Sequence, residues 1–330
     1  MRELAPTSAP GFAGRELRGA AVGSAALAVP SVVVPNAQIA ARLGVEEDWI
    51  ESRTGIKSRY ELAEGERLSD IATTAGARAL ADAGLDPASV DMLLVATTTQ
   101  DEHTPNTAPL VAGALGAVNA ATIDVGAACT AFISALHVAT SQIESGRADI
   151  ALIIGADALR WFLDLDDRRT AALFGDGAGA LVMSASDEGR VGPILLRSEE
   201  SHESIICRRG GRLSMQGHET FVNAVKRMSE ITLETVERAG MELDDVDLFV
   251  YHQANRRILQ AVGERLGLPE DRVVDCIENY GNTSAGTIPI ALAEMQQAGR
   301  LHAGDRVLLC AFGAGFTWGG ALIEWGRDGS

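Results

Sequence analysis

Ala83-Gly-Leu-Asp-Pro-Ala-Ser-Val-Asp-Met-Leu-Leu-Val95 is matched further along the chain by Ala239-Gly-Met-Glu-Leu-Asp-Asp-Val-Asp-Leu-Phe-Val-Tyr251, an offset of 156 from Gly84 to Gly240. A second pair, Asp149-Ile-Ala-Leu-Ile-Ile154 and Asp305-Arg-Val-Leu-Leu-Cys310, shares the offset of 156. One register therefore relates two halves of the chain, and a duplicated α/β unit is expected. Under that register Cys129 corresponds to Ala285, so two glycine-flanked helix starts are equivalent about a pseudo-two-fold axis. Their loops should face each other, bringing Cys129 and Asn282 to one pocket.

Cys129 follows a strand-like run and a cluster of small residues in Ala121-Thr-Ile-Asp-Val-Gly-Ala-Ala-Cys-Thr-Ala-Phe-Ile-Ser-Ala-Leu136. A thiol at a helix start meets backbone N–H groups and the positive end of the helix dipole, which favour thiolate and make it a candidate nucleophile. Gly126, Ala127 and Ala128 leave room for a substrate carbonyl. The run Val246-Asp-Leu-Phe-Val-Tyr-His-Gln-Ala-Asn255 reads as a buried strand ending in a polar turn, which places His252 at a strand's C-terminal end, a frequent address for active-site groups in α/β folds. Glu278-Asn-Tyr-Gly-Asn-Thr-Ser-Ala-Gly-Thr-Ile-Pro-Ile-Ala-Leu292 is a glycine-punctuated loop entering an apolar helix, with Asn282 at its start. Alone, each has an ordinary structural reading: a small buried hydrophobe, a satisfied histidine and a helix cap.

Composition narrows the alternatives. The chain has 330 residues, 46% of them hydrophobic and 35 of them glycine, enough for a large core. It contains no run near the ~20 apolar residues of a membrane span. Met1–Gly14 is proline- and glycine-rich with no apolar signal core, and reads as a loose arm. The four cysteines, Cys129, Cys207, Cys276 and Cys310, show no metal-ligand spacing; this points to a reducing, cytoplasmic setting, with all but Cys129 structural. A net charge of −17 argues against nucleic acid. An acidic protein partner would have to meet a local basic patch, either Arg256 and Arg257 beside His252, the favoured pair, or Arg208, Arg209 and Arg212. Gly175-Asp-Gly-Ala-Gly179 lacks the spacing of a dinucleotide fingerprint and precedes a strand, not a helix. Gly313-Ala-Gly315 can aim a backbone N–H at a developing oxyanion.

Six ordered segments carry a family resemblance: Trp49-Ile-Glu-Ser-Arg-Thr-Gly-Ile-Lys-Ser-Arg59, the Cys129 segment, Phe174-Gly-Asp-Gly-Ala-Gly-Ala180, His252-Gln-Ala-Asn-Arg-Arg257, Gly281-Asn-Thr-Ser284 and Phe312-Gly-Ala-Gly-Phe-Thr-Trp318. The chain resembles the β-ketoacyl-acyl carrier protein synthase III family of thiolase-fold condensing enzymes, nearly end to end. The resemblance implies duplicated five-stranded α/β units in an αβαβα layering, with an N-terminal half at 1–185 carrying the cysteine and a C-terminal half at 186–330 carrying the histidine and asparagine. It implies a Cys129/His252/Asn282 triad in a cytoplasmic homodimer, with no cofactor and no metal. Its substrates would be coenzyme A and phosphopantetheine thioesters, its partners acyl-CoA and acyl carrier protein, with no membrane.

In the implied reaction Cys129 takes an acyl group from acyl-CoA, with the oxyanion held by backbone N–H groups of Cys129 and of the Gly313, Ala314, Gly315 loop. Malonyl-acyl carrier protein then loses CO2, and the enolate, stabilised by His252 and Asn282, attacks to give a 3-ketoacyl product. This would start fatty acid synthesis or prime a polyketide. Trp49, Arg53, Arg168, Gly217 and Asn255 match positions for the coenzyme A or pantetheine arm, Arg256 and Arg257 those for carrier docking, and Thr104, Phe174 and Phe312 those for the acyl pocket. Departures concern the substrate: Thr130 follows the cysteine, Arg169 stands where a glycine is usual, Thr104 replaces a phenylalanine that reaches across the dimer, and Ser184–Met215 is short. Two other readings remain, acyl transfer from Cys129 to a hydroxyl or amine and a non-catalytic dimer partner.

Overall fold

Strand pairing in the computed structural model, which describes residues 18–201 and 203–326, follows the repeat. The arm at Met1–Gly14 lies outside the described residues. From the N-terminus, β1 (Gly19–Ala28) leads to a small two-stranded sheet of β2 (Val32–Pro35) and β3 (Ser58–Glu61), with α1 (Asn36–Leu43) and α2 (Glu47–Thr54) inserted between them. Then come α3 (Leu68–Asp82), β4 (Met92–Ala96), α4 (Thr107–Leu115), β5 (Ala121–Val125), α5 (Ala131–Glu144), β6 (Ile150–Ala158) and β7 (Asp176–Ser186). These strands form a five-stranded sheet in the order β1-β7-β6-β4-β5.

The second half repeats the plan. It runs through β8 (Val191–Ser201), a hairpin of β9 (Ile205–Cys207) and β10 (Leu213–Met215), α6 (Gly217–Arg238), β11 (Leu248–Tyr251), α7 (Arg256–Leu266), α8 (Ile277–Tyr280), α9 (Thr287–Gln297), β12 (Arg306–Gly313) and β13 (Gly315–Glu324). Its sheet has the order β11-β12-β13-β8. Among the described residues the expected fifth strand is absent from it. A lone parallel bridge between Phe249 and Val273 stands in its place, because the chain turns at once into α8 and the Asn282 loop.

The Val-Asp of each repeat sets the register. Asp91 Oδ2 accepts from the backbone N–H of Ile150 at 3.0 Å, and Asp247 Oδ2 from that of Arg306 at 2.8 Å, equivalent atoms in the two halves. Each carboxylate ties the start of one parallel strand to its neighbour.

Alternation then builds five layers. In β6, Ala151 and Ile153 point to the molecular centre, while Leu152 and Ile154 face outward against α3 and α4. In β12, Val307 and Leu309 face the centre, and Leu308 and Cys310 face α6 and α7. Both sheets are thus apolar on both faces, as central strands covered by helices must be. Between the sheets lie α5 and α9, whose Phe132, Ile133, Leu136, Ile288 and Leu292 are fully buried; each such side chain contributes about 1.5–3 kcal/mol. The Gly175–Gly179 segment is the start of β7, as its sequence suggests. A Cβ on Gly179 would stand 2.5 Å from Ile290 N, and one on Gly155 would run into Ala285 O, so bare backbone lets the second half's helix start press onto the first sheet.

Candidate active site

Two backbone elbows meet at the centre. In the first, β5 passes through Gly126 and Ala127 to Ala128, whose φ of 48° is left-handed, and Cys129 sits in a short 3-10 turn leading into α5. In the second, Asn282 and Thr283 lead to Ser284, φ 51°, and a 3-10 turn entering α9. The left-handed residues are separated by the offset of the repeat, and strain of this kind in non-glycine residues survives where packing holds it. The elbows touch: Ser284 Oγ donates to Cys129 Sγ at 3.5 Å.

His252 follows directly on β11, 2% exposed, with its backbone N–H on Cys310 O at 2.7 Å. Its Nδ1 lies 2.7 Å from Thr287 Oγ1, which itself donates to Ser284 O at 3.0 Å. That leaves Thr287 as an acceptor, so Nδ1 carries the imidazole proton and Nε2 keeps its lone pair. Donation from Nε2 requires the Thr287 hydroxyl to turn, or a second proton. Asn282 Oδ1 accepts from Ser284 N at 2.8 Å, which orients Nδ2 as its donor. Cys129, His252 and Asn282 all line one cavity of about 1280 Å³.

Burial dominates the charges here. The Cys129 thiol is pushed up to about 11 by desolvation, with the Ser284 hydrogen bond acting the other way and Asp157 adding to the rise. Desolvation therefore opposes the thiolate that the helix start was expected to favour, although Cys129 is only partly buried and borders the cavity. Burial also depresses the His252 imidazole to about 3, so this is a neutral pair.

Asp157, at the end of β6, was not among the sequence candidates. It is fully buried; its Oδ1 accepts from Thr98 N at 2.9 Å and from Thr99 Oγ1 at 2.8 Å, and its Oδ2 from Ala285 N at 3.1 Å. The carboxyl is held above its ordinary range by burial, against the pull of these donors.

The turn between β12 and β13 lies directly on the nucleophile: a Cβ on Gly313 would be 3.0 Å from Cys129 N. Gly313 and Ala314 line the cavity, whereas Gly315 opens β13 behind it. Thr130 Oγ1 lies 2.8 Å from Thr317 Oγ1, whose hydroxyl is 3.1 Å from Ala314 O, so the residue after the cysteine is linked to this turn.

Trp49, Arg53, Arg168, Gly217 and Asn255 line the same cavity, as do Phe174 and Phe312. The Arg53 guanidinium stacks 4.7 Å over the Trp49 ring, and Arg168 Nη2 donates to Leu43 O at 2.9 Å. Asn255 is engaged as the cap of α7, accepting from Arg257 N at 2.9 Å. Arg257 lines the cavity; Arg256 does not. Its Nε bonds Asp275 at 2.5 Å, which corrects the expectation that both arginines border the mouth. Arg208 and Arg209, the less favoured group, do line it, on the β9–β10 hairpin, together with Arg169. Cys207 on the same hairpin is exposed and lines the cavity too, so it is not the buried structural cysteine expected; Cys276 and Cys310 are buried. Thr104 is exposed and outside the lining within one chain.

Among the described residues, no group of three or more His, Cys, Asp or Glu is placed to hold a metal, and no helix is long and apolar enough to cross a membrane. A duplicated five-layer fold with a cysteine elbow at its centre defines the thiolase class of acyl-transferring enzymes. Residues 51–160 match the thiolase N-terminal domain, 123–199 match 3-oxoacyl-[acyl-carrier-protein] synthase III, and 236–325 match the C-terminal part of that family. The chain is 44% identical over 312 residues to β-ketoacyl-[acyl-carrier-protein] synthase III 2 of Streptomyces coelicolor, covering 93% of this chain and 94% of the relative. Among solved structures, the synthase III of Pseudomonas aeruginosa is 40% identical with a TM-score of 0.89, over 94% of this chain and 99% of that one. The priming β-ketosynthase of the R1128 polyketide pathway is 34% identical with a TM-score of 0.92, over 96% and 99%. The chain belongs to the β-ketoacyl-[acyl-carrier-protein] synthase III family and is an acyltransferase.

Proposed function

We propose that this enzyme loads an acyl group from acyl-CoA onto Cys129 and condenses it with malonyl-acyl carrier protein, releasing CO2 and a 3-ketoacyl thioester. The observation that carries the reading is the convergence of Cys129 from one half with His252 and Asn282 from the other on one cavity with an arginine-lined mouth. Arg53, Arg168, Arg208 and Arg209 supply the donors that coenzyme A phosphates require, and Arg257 faces the route of a carrier's phosphopantetheine. The thioester carbonyl sits against Cys129 N and the Gly313–Ala314 backbone as negative charge develops on it. Once Cys129 is acylated, Asn282 Nδ2 and His252, with Thr287 turned to free an Nε2 proton, donate to the malonyl thioester oxygen as CO2 leaves. The division into halves at 1–185 and 186–330 belongs to this reading, as does a cytoplasmic homodimer. Support for the dimer comes from β5, the outermost strand of the first sheet, where Ile123 is 43% exposed beside Val118 at 81%. In such a dimer Thr104 would belong to the partner's acyl pocket. Intact mass of the protein after incubation with a panel of acyl-CoAs, followed by CO2 release from malonyl-carrier protein, tests the proposal. A mass gain on Cys129 with CO2 release is expected; acylation without CO2 would replace condensation by transfer to a hydroxyl or amine.

A further inference from the structure

Arg59, in β3, is fully buried, and among the described residues no carboxylate pairs with it. Its Nη2 donates at 3.0 Å to Asn36 Oδ1 and at 3.0 Å to Ala172 O, while Nε and Nη1 have no partner. Burial lowers the guanidinium to about 10, so it stays a cation at neutral pH. An uncompensated charge is costly at a site that an apolar side chain could fill. What it holds is the segment 172–175, whose Ala172, Leu173 and Phe174 line the cavity. Leu173 O accepts from Asn282 N at 2.9 Å, and Gly175 N donates to Asn282 O at 3.1 Å, so this segment grips the backbone of Asn282 from both sides. The stem of Arg59 backs the same place: a Cβ on Gly175 would stand 2.9 Å from Arg59 Cβ, and one on Gly281, just before Asn282, 3.5 Å from it. Asn36 is itself fastened, its Nδ2 donating to Ile56 O at 2.6 Å.

Resting on the reading of Asn282 as a donor to the malonyl thioester oxygen, we propose that Arg59 is the positioning residue for Asn282 in the decarboxylation half-reaction. Arg59 does not line the cavity and acts through backbone. Its bonds to Asn36 and Ala172 fix the depth of 172–175, that segment fixes the Asn282 backbone, and Ser284 N then holds the side chain by Oδ1. Both acceptors share one nitrogen of a planar group, so their separation is set by the guanidinium itself. A misplacement of about 1 Å at a reacting group can cost about 100-fold in rate, which gives the buried charge its use. Cys129 is seated separately, by its own elbow and the Gly313 turn, so the two half-reactions should respond differently.

Three measurements on the intact enzyme test this: mass gain on Cys129 from acetyl-CoA, CO2 release from malonyl-carrier protein, and backbone hydrogen exchange read in peptides, which needs no substrate. Arg59→Met keeps the bulk and removes the donors. It is expected to slow CO2 release about 10–100-fold while acetylation stays near the parent rate. Exchange should quicken in peptides holding Gly175 and Asn282, and not in those holding Cys129. Added to Asn282→Ala, Arg59→Met should slow CO2 release no further, because the arginine acts through that amide. Arg59→Lys, which keeps a donor on a shorter stem, should recover part of the loss; where the Met variant does not fold, the Lys variant should still slow CO2 release and spare acetylation. A merely structural arginine would lower both half-reactions together, and that result in either variant overturns the proposal. So do parental CO2 release in Arg59→Met, a further loss in the double variant, or unchanged exchange at Gly175 and Asn282. A wild-type enzyme that releases no CO2 would overturn the proposed function instead, and the exchange pattern would still decide whether Arg59 holds Asn282 in place.

Discussion

The two elbows share a backbone and divide the chemistry. Ala128 and Ser284 have φ of 48° and 51°, and each starts a 3-10 turn that opens a central helix. The next residue is Cys129 in the first and Ala285 in the second, where the N–H grips Asp157. Duplication supplied two equal frames, and side chains made one the bearer of the nucleophile and the other its support. His252 and Asn282 both come from the second half, whose register partners in the first, Ala96 and Gly126, carry no such groups.

The comparison breaks most visibly if the nucleophile is moved. Cys129→Ala should lower acylation by about 10³-fold or more, and adding Ala285→Cys should restore none of it, because that position is buried away from the substrate; intact mass reads both. Next in size, His252→Ala and Asn282→Ala should each lower malonyl decarboxylation about 10²–10³-fold while sparing acylation, measured as CO2 release against mass gain. Equal loss of both steps would make them supports for Cys129.

Gly155 has Ala311 as its register partner, and a methyl that is fully buried in the second half has no room in the first. Gly155→Ala should therefore cost about 1–3 kcal/mol in urea unfolding, while Ala311→Gly costs about 1 kcal/mol. pH sharpens the contrast further. His252 has a folded pKa of about 3, below its ordinary 6.5, so its contribution is complete above pH 6.5 and is lost as pH falls toward 3, at up to about 1.4 kcal/mol per unit. Cys129 runs the opposite way, its folded pKa raised from 9.0 to about 11, so its contribution is full below pH 9 and declines toward 11. Urea midpoints of His252→Asn across pH 4–7 should be flatter than those of the parent. Smallest of all, Arg208→Ala with Arg209→Ala should raise KM for acyl-CoA a few-fold, whereas Arg256→Ala should leave it unchanged, its guanidinium being held by Asp275.

Much of this was legible in the amino-acid order because the repeat is written in the residues that set strand register, Asp91 and Asp247, and in the small residues of both elbows. The missing fifth strand was not, since symmetry predicts it and local sequence between Val273 and Asn282 overrides it. Ser284 lay within a recognised segment, yet its partner is 155 residues away and only the meeting of two halves assigns it a role. Asp157 follows a strand readable as far as Ile154, and the rule that located His252 at a strand's end applies to it equally. Exposure separated Cys207 from Cys276 and Cys310, which composition treats alike.

The central layer also bears on synthesis. Helix α9, encoded near the end of the chain, packs against β1 and β7 of the first sheet. A nascent chain that has completed β1 through β7 has α5 but still lacks α9, the second helix on their inner face. At ~5–20 residues per second, the ~100 residues between β7 and α9 hold that face open for roughly 5–20 s on the ribosome. During that interval the first half is an unfinished surface, attractive to chaperones and to its own kind, and a chain cut in the β7–β8 turn should recover its fold only when both pieces are present together.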